Sequence, residues 1–204
     1  LVDRAAGHMA GAADVLNESE PAKAVESQTR AVETLDELFM AVVPFVGLVQ
    51  KAIETEKELV GRVEATGRSD AEEAPDLSEA AWDQRFVARW SEILPRKAEA
   101  ELAQLKAAAS GPAADRGGAP GDPELAEMKQ QAAAMAKAME KAVEVGPKIA
   151  KLTEEAADHL ESEEAADALP KQKEALKLLE EILQSLPKQD NRQDRKQQQD
   201  QQAE

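Results

Sequence analysis

A stretch of 27 residues near the N-terminus recurs near the C-terminus without a gap, and this duplication restricts the possible folds more than any other feature. Residues 12–38 (AADVLNESEPAKAVESQTRAVETLDEL) lie over residues 156–182 (AADHLESEEAADALPKQKEALKLLEEI) at a constant offset of 144, with eleven identities. Among them are Ala12, Ala24, Gln28, Ala31 and Leu35, matched by Ala156, Ala168, Gln172, Ala175 and Leu179. Repeated supersecondary units bury their apolar faces on one another, so the duplication points to stacked or bundled helices and by itself to no reaction.

The apolar spacing agrees. Val25, Gln28, Val32, Leu35, Phe39 and Val42 follow one another at steps of three and four, and Leu169, Gln172, Leu176, Leu179, Leu183 and Leu186 do the same. Each series makes one seam along a helix. A glutamine in each seam is expected to sit at a helix–helix contact and to bond a group on the facing hairpin. About seven helices are expected in all, over residues 2–16, 21–43, 45–64, 78–109, 123–146, 147–161 and 164–186. Pro44 and Gly146-Pro147 mark breaks and Pro95 a kink, because proline removes a helix hydrogen bond and crowds the preceding turn. The fold class is therefore all-α, an antiparallel helical bundle or a short helical-repeat array with two related hairpins.

Punctuation divides the chain. Residues 65–77 (ATGRSDAEEAPDL) are expected as a loop, and residues 110–122 (SGPAADRGGAPGD) as a flexible linker. An N-terminal helical region (1–109) would carry the first hairpin, and a three-helix C-terminal region (123–186) the second. Residues 187–204 are a Gln-rich tail with almost nothing to bury, expected to be disordered.

The net charge of −16 argues against nucleic acid as a partner, which demands basic patches. No stretch reaches the ~18 apolar residues of a membrane span, so no membrane insertion is expected within this segment. The absence of cysteine leaves no disulfide, thiolate nucleophile or Cys-based metal site. The chain begins at Leu1, as a fragment or a processed product would.

Two resemblances follow from these residues. Ala156-x-x-x-Leu160, a short turn, and Ala168-x-x-x-Gln172-x-x-Ala175-Leu176 resemble a degenerate tetratricopeptide hairpin. The stretch over 12–32 repeats the pattern, with glutamine where such units carry an aromatic residue. The Ala/Glu/Gln-rich texture, above all AAWDQRFVARWSEILPRKAEAELAQL (80–105), resembles helical regions of uncharacterised bacterial envelope proteins of the planctomycete type. That resemblance implies an extracytoplasmic segment of a larger protein with no catalytic residue.

Chemistry-bearing patterns are sparse. Trp82, Phe86 and Trp90 form one aromatic stripe, which belongs either to the core or to a groove or oligomer interface. His159 lies between Glu155 and Glu163 at helical spacing, so a metal could be held there, whereas an exposed histidine paired with its neighbours needs no metal. Residues 154–167 carry seven acids and no Lys or Arg, either a solvated turn or a patch for a basic partner. No phosphate loop or nucleophile motif is present. The expectation is a non-enzymatic scaffold or protein–protein interaction module, with no cofactor and no metal. It would act through a protein partner or self-association, with Trp82, Phe86, Trp90, Gln28 and Gln172 at the packing or binding surface. The alternative is a bundle that binds a metal or small ligand through His159 and neighbouring acids.

Overall fold

Apolar residues at steps of three and four are buried only where helices face one another, and six helices do this with no strand among the described residues. The computed structural model describes residues 1–17, 21–66, 77–110 and 123–187. The helices are α1 (Val2–Asn17), α2 (Pro21–Val42), α3 (Phe45–Thr66), α4 (Leu77–Ser110), α5 (Pro123–Glu161) and α6 (Ala165–Ser185). Most of the expected loop over 65–77, the linker over 110–122 and the tail over 187–204 lie outside the described residues. Ala65, Thr66, Leu77 and Ser110 are helical.

Helices α3 to α6 close a ring in which each packs on the next and α6 returns to α3. Charged pairs show the directions. Lys57 meets Glu180 and Lys173 meets Glu64 between α3 and α6, while Lys106 meets Glu140 and Arg85 meets Asp158 between α4 and α5. Neighbours are thus antiparallel. Exposed pairs of this kind contribute ~1 kcal/mol or less each, so the ring is held mainly by its core. Phe45, Leu48, Leu59, Leu94, Ile149, Leu160, Leu179 and Ile182 are fully buried there. Alanines such as Ala98, Ala142 and Ala175 fill the positions where helices come close. The helices on either side of residues 111–122 pack along each other, so the expected regions 1–109 and 123–186 share one core.

The expected break at Gly146-Pro147 is absent, which makes six helices rather than seven. Residues 123–161 form the single helix α5, and α4 likewise runs unbroken through Pro95. The two features are connected. A side chain at 146 would place its Cβ 2.4 Å from Cγ of Pro95, so the bare glycine lets the two helices meet there. Packing on both sides of the Gly–Pro pair holds the helix through the hydrogen bond that Pro147 cannot make.

Helices α1 and α2 form an antiparallel hairpin beside the ring. Ala5, Ala12, Ala24 and Ala31 are buried between them, and Arg4 pairs with Glu37. Helix α2 joins the ring through its C-terminal half. Arg89 meets Glu33 at 2.9 Å, Trp90 Nε1 donates to Asp36 Oδ1 at 2.6 Å, and Lys97 Nζ donates to the Met40 carbonyl at 2.9 Å. These contacts ascend together along both helices, so α2 runs parallel to α4. Pro44 ends α2, as expected. The Phe45 amide opens α3 by donating to Glu101 Oε1 at 2.8 Å, satisfying one unpaired group of the helix start. Helix α3 then runs back along α4, and α2 and α3 open as a V whose floor is α4.

The α5–α6 turn shows how the sequence stops a helix without glycine. The Glu163 amide donates to the Leu160 carbonyl and the Glu164 amide to the His159 carbonyl, with Glu163 at φ 60°. This is the Schellman arrangement, in which glycine is the usual residue at the left-handed position. A left-handed non-glycine residue costs ~1–2 kcal/mol, partly balanced by the greater unfolded-state freedom of glycine. Glu163→Gly is expected to stabilise the fold by about 0.5–1 kcal/mol in chemical denaturation. An unchanged or lower midpoint would count against this account of the turn.

Candidate functional site

The matched stretches share one face and differ on the other. The alanines that pack each hairpin are buried in both copies: Ala12 with Ala156, Ala24 with Ala168, Ala31 with Ala175. The outer seam differs. Leu179 is 0% exposed and its counterpart Leu35 is 50% exposed. Gln172 is 0% exposed, whereas Gln28 lies on the surface. In the second copy α3 covers this seam. In the first copy nothing among the described residues does, because α3 diverges from α2 after Pro44.

Val32, Leu35 and Phe39 therefore form one wall of an open groove of about 460 Å³. Lys51, Thr55 and Glu58 of α3 form the other wall, and Asp83, Phe86 and Trp90 of α4 the floor. Two of the predicted residues, Phe86 and Trp90, lie here, with Trp82 packed beside them outside the groove. Trp82 stands edge-on to Phe86 at 5.3 Å between centroids, Phe86 lies 6.4 Å from Trp90, and Trp90 lies 5.9 Å from Phe39 across the groove. Trp82 is partly exposed and Trp90 is buried. The aromatic stripe is thus shared between core and groove. Trp90 belongs to the core, Phe86 packs against it, and both line the groove, while Trp82 lines a separate recess beside Arg85 and Leu160. The buried stripe is Ala80, Gln84, Val87, Ser91, Leu94 and Ala98, one step around the helix. Gln28 and Gln172 are not brought to this groove floor.

Asp36 is the polar feature of the groove. It is only 8% exposed; Oδ1 accepts the Trp90 bond and Oδ2 is buried without a partner. Burial raises its pKa above the ordinary carboxylate value, against the lowering effects of the Trp90 bond and the Arg89 charge.

A second buried polar group lies inside the ring. Gln172 Nε2 donates to Gln84 Oε1 at 2.7 Å, and Gln84 Nε2 donates to Glu56 Oε2 at 2.8 Å. Gln172 thus bonds a side chain of a facing helix, α4. Burial pushes the Glu56 carboxyl up to about 8, which keeps it protonated at neutral pH. Neither Asp36 nor Glu56 was singled out from the sequence. Both signals were legible: Glu56 continues the seam Ala52, Leu59, Val63, and Asp36 sits between Leu35 and Phe39.

At the α5–α6 turn, His159 meets Glu164 rather than Glu155 or Glu163. Its Nδ1 lies 2.8 Å from Glu164 Oε2, and donor atoms of His159, Glu164 and Asp167 fall within 4.8 Å of one another. The two acids are exposed, and the contact between His159 and Glu164 holds the first two together without a metal. Much of the acidic stretch 154–167 is matched internally. Arg85 bonds Asp158 and Glu161, and Lys171 and Lys151 meet Glu155.

No protein-family model, curated protein or solved structure matches the chain. No helix among the described residues is long and apolar enough to cross a membrane.

Proposed function

We propose that the chain is a non-enzymatic helical interaction module, part of a larger bacterial scaffold, whose binding face is the groove between α2 and α3. One observation carries this reading: an apolar seam lies open on α2 where the matched seam on α6 is covered. Val25, Val32, Leu35 and Val42 are 60%, 45%, 50% and 71% exposed, and they lie along one helix. Scattered apolar residues on a surface need no explanation, whereas a contiguous row beside an aromatic floor marks an interaction site. The tetratricopeptide-like character of the hairpins fits the same use, since stacked hairpins create grooves for helices.

A photo-crosslinking residue tests the reading in the native host. Placed at Val32 it is expected to trap a discrete protein adduct, while the same residue at Gln104, exposed on α4, gives none. Equal labelling at both positions, or none at Val32, would remove the groove as a binding face.

A further inference from the structure

The second copy of the duplication shows what kind of element fits the outer seam of the first. There the seam is covered by α3, an amphipathic helix that buries Leu179 and sets Lys57 Nζ 2.7 Å from Glu180. Glu180 is the counterpart of Asp36 at the offset of 144. The covering helix therefore brings an apolar face and a cation, the cation going to the acid beside the seam leucine. In the first copy that acid has a buried oxygen, Oδ2, with no donor. A buried carboxylate oxygen left unpaired is costly, and a charged donor is the strongest group that can meet it.

Resting on the interaction reading above, we propose that the groove receives an amphipathic α-helix of another protein that bears a Lys or Arg beside its apolar face. Its apolar anchors pack on Val32, Leu35, Phe39 and Phe86, and its cation meets Asp36. The surrounding charge favours such a partner. Glu58, on the opposite wall, has no ion-pair partner among the described residues, and Lys51 is engaged by Glu54 at 3.3 Å. A second copy of the chain fits less well, because each copy carries −16 and the two would repel. A cationic helix gains from the same field.

The test uses the full-length chain and two synthetic peptides built on residues 45–66, the helix that covers α6. The basic peptide carries Glu54→Lys, Glu58→Lys and Glu64→Lys. The neutral peptide has glutamine at those three positions and also at 51, 56, 57 and 62, so no charged side chain remains. Affinities are read by fluorescence anisotropy. The basic peptide is expected to bind saturably with one peptide per chain. Leu35→Glu, at a half-exposed position, should weaken both peptides about tenfold or more. Asp36→Asn keeps an oxygen for the Trp90 bond and removes the charge. It should weaken the basic peptide about fivefold and leave the neutral one within about twofold. No saturable binding, indifference to Leu35→Glu, or equal loss of both peptides with Asp36→Asn would each overturn the proposal. Sedimentation separates this from failure of the broader reading. A dimer of the chain that Leu35→Glu dissolves would make a second copy the occupant, overturning the proposal while the interaction module stands. Absence of dimer, peptide binding and Val32 adduct together would overturn both.

Discussion

Stability is expected to fall as pH rises from about 5 to about 8, and Glu56→Gln is expected to remove most of that fall. The folded-state pKa of Glu56 is raised from the ordinary 4.5 to about 8, because burial penalises the charged form more than the Gln84 bond favours it. Below 4.5 the carboxyl is protonated whether the chain is folded or unfolded. Between 4.5 and about 8 the unfolded chain has released the proton and the folded chain retains it, so stability declines with each unit of pH. Above that window the folded chain holds a buried charge and bears the whole cost. One unit corresponds to about 1.4 kcal/mol, so a loss on the order of 2–4 kcal/mol is expected across the window. Raised Asp36 acts in the same direction.

Glu155, Glu161 and Glu174 act the other way, their pKa values lowered by bonds from Lys171, Arg85 and Lys148. Their contribution is present above the ordinary carboxylate range and lost as pH falls below it, outside the Glu56 window. They are also solvent-exposed, where screening reduces such effects. In Glu56→Gln an amide oxygen can still accept from Gln84, and no group at 56 titrates. The variant should match the parent near pH 5 and exceed it by about 2 kcal/mol or more near pH 8. Denaturation midpoints at four or five pH values decide it. Parallel profiles for parent and variant would show that Glu56 does not govern the dependence.

How far the sequence could be read depended on what each signal encodes. The helical stretches and the stop at Pro44 were legible because helix periodicity and proline act within a few residues of themselves. The break expected at Gly146-Pro147 was not there, because packing on Pro95 keeps α5 continuous. The choice of buried stripe on α4 was not. Trp82, Phe86 and Trp90 are the bulkiest row and were natural candidates for a core. The ring also buries the adjoining row of Ala80, Gln84 and Val87, and of the aromatic row it takes in Trp90 and leaves Trp82 partly exposed. Bulk favours burial somewhere; it does not say against which helix. The duplication had the same limit. It predicted two like hairpins, and the alanine faces agree in both copies, but whether an outer seam is covered depends on where α3 goes after Pro44. Gln28 and Gln172 are identical in sequence and lie in opposite environments for that reason. Asp36 was legible only as an acid beside a seam; its orphaned oxygen follows from the Trp90 bond, which joins residues 54 apart.

Gly146→Ala is expected to destabilise the fold by about 2 kcal/mol, although alanine is the better helix former by ~1 kcal/mol. The reason is the contact with Pro95. The added Cβ would lie 2.4, 3.0 and 3.4 Å from the Cγ, Cδ and Cβ of its ring. A long side chain could swing away, but a proline ring is tied to its own backbone, so α4 and α5 must move apart. Leu94 and Ile149, fully buried on the same two helices, would lose packing as they separate. Gly61 supplies the control within the same chain. It lies on α3 with nothing near the position of an added Cβ, so Gly61→Ala should stabilise by about 0.5–1 kcal/mol. The sequence signal is the same in both cases, a glycine within a helix, and only the tertiary neighbour reverses the sign. Pro95→Ala combined with Gly146→Ala completes the argument, since it removes the ring that the new methyl strikes. The double variant should be more stable than Gly146→Ala alone, and the two effects should fail to add by about 1 kcal/mol or more, as expected of residues in contact. If the effects simply add, or if Gly146→Ala stabilises as Gly61→Ala does, the helices are not held apart by that ring, and the continuity of α5 through Gly146-Pro147 needs another cause.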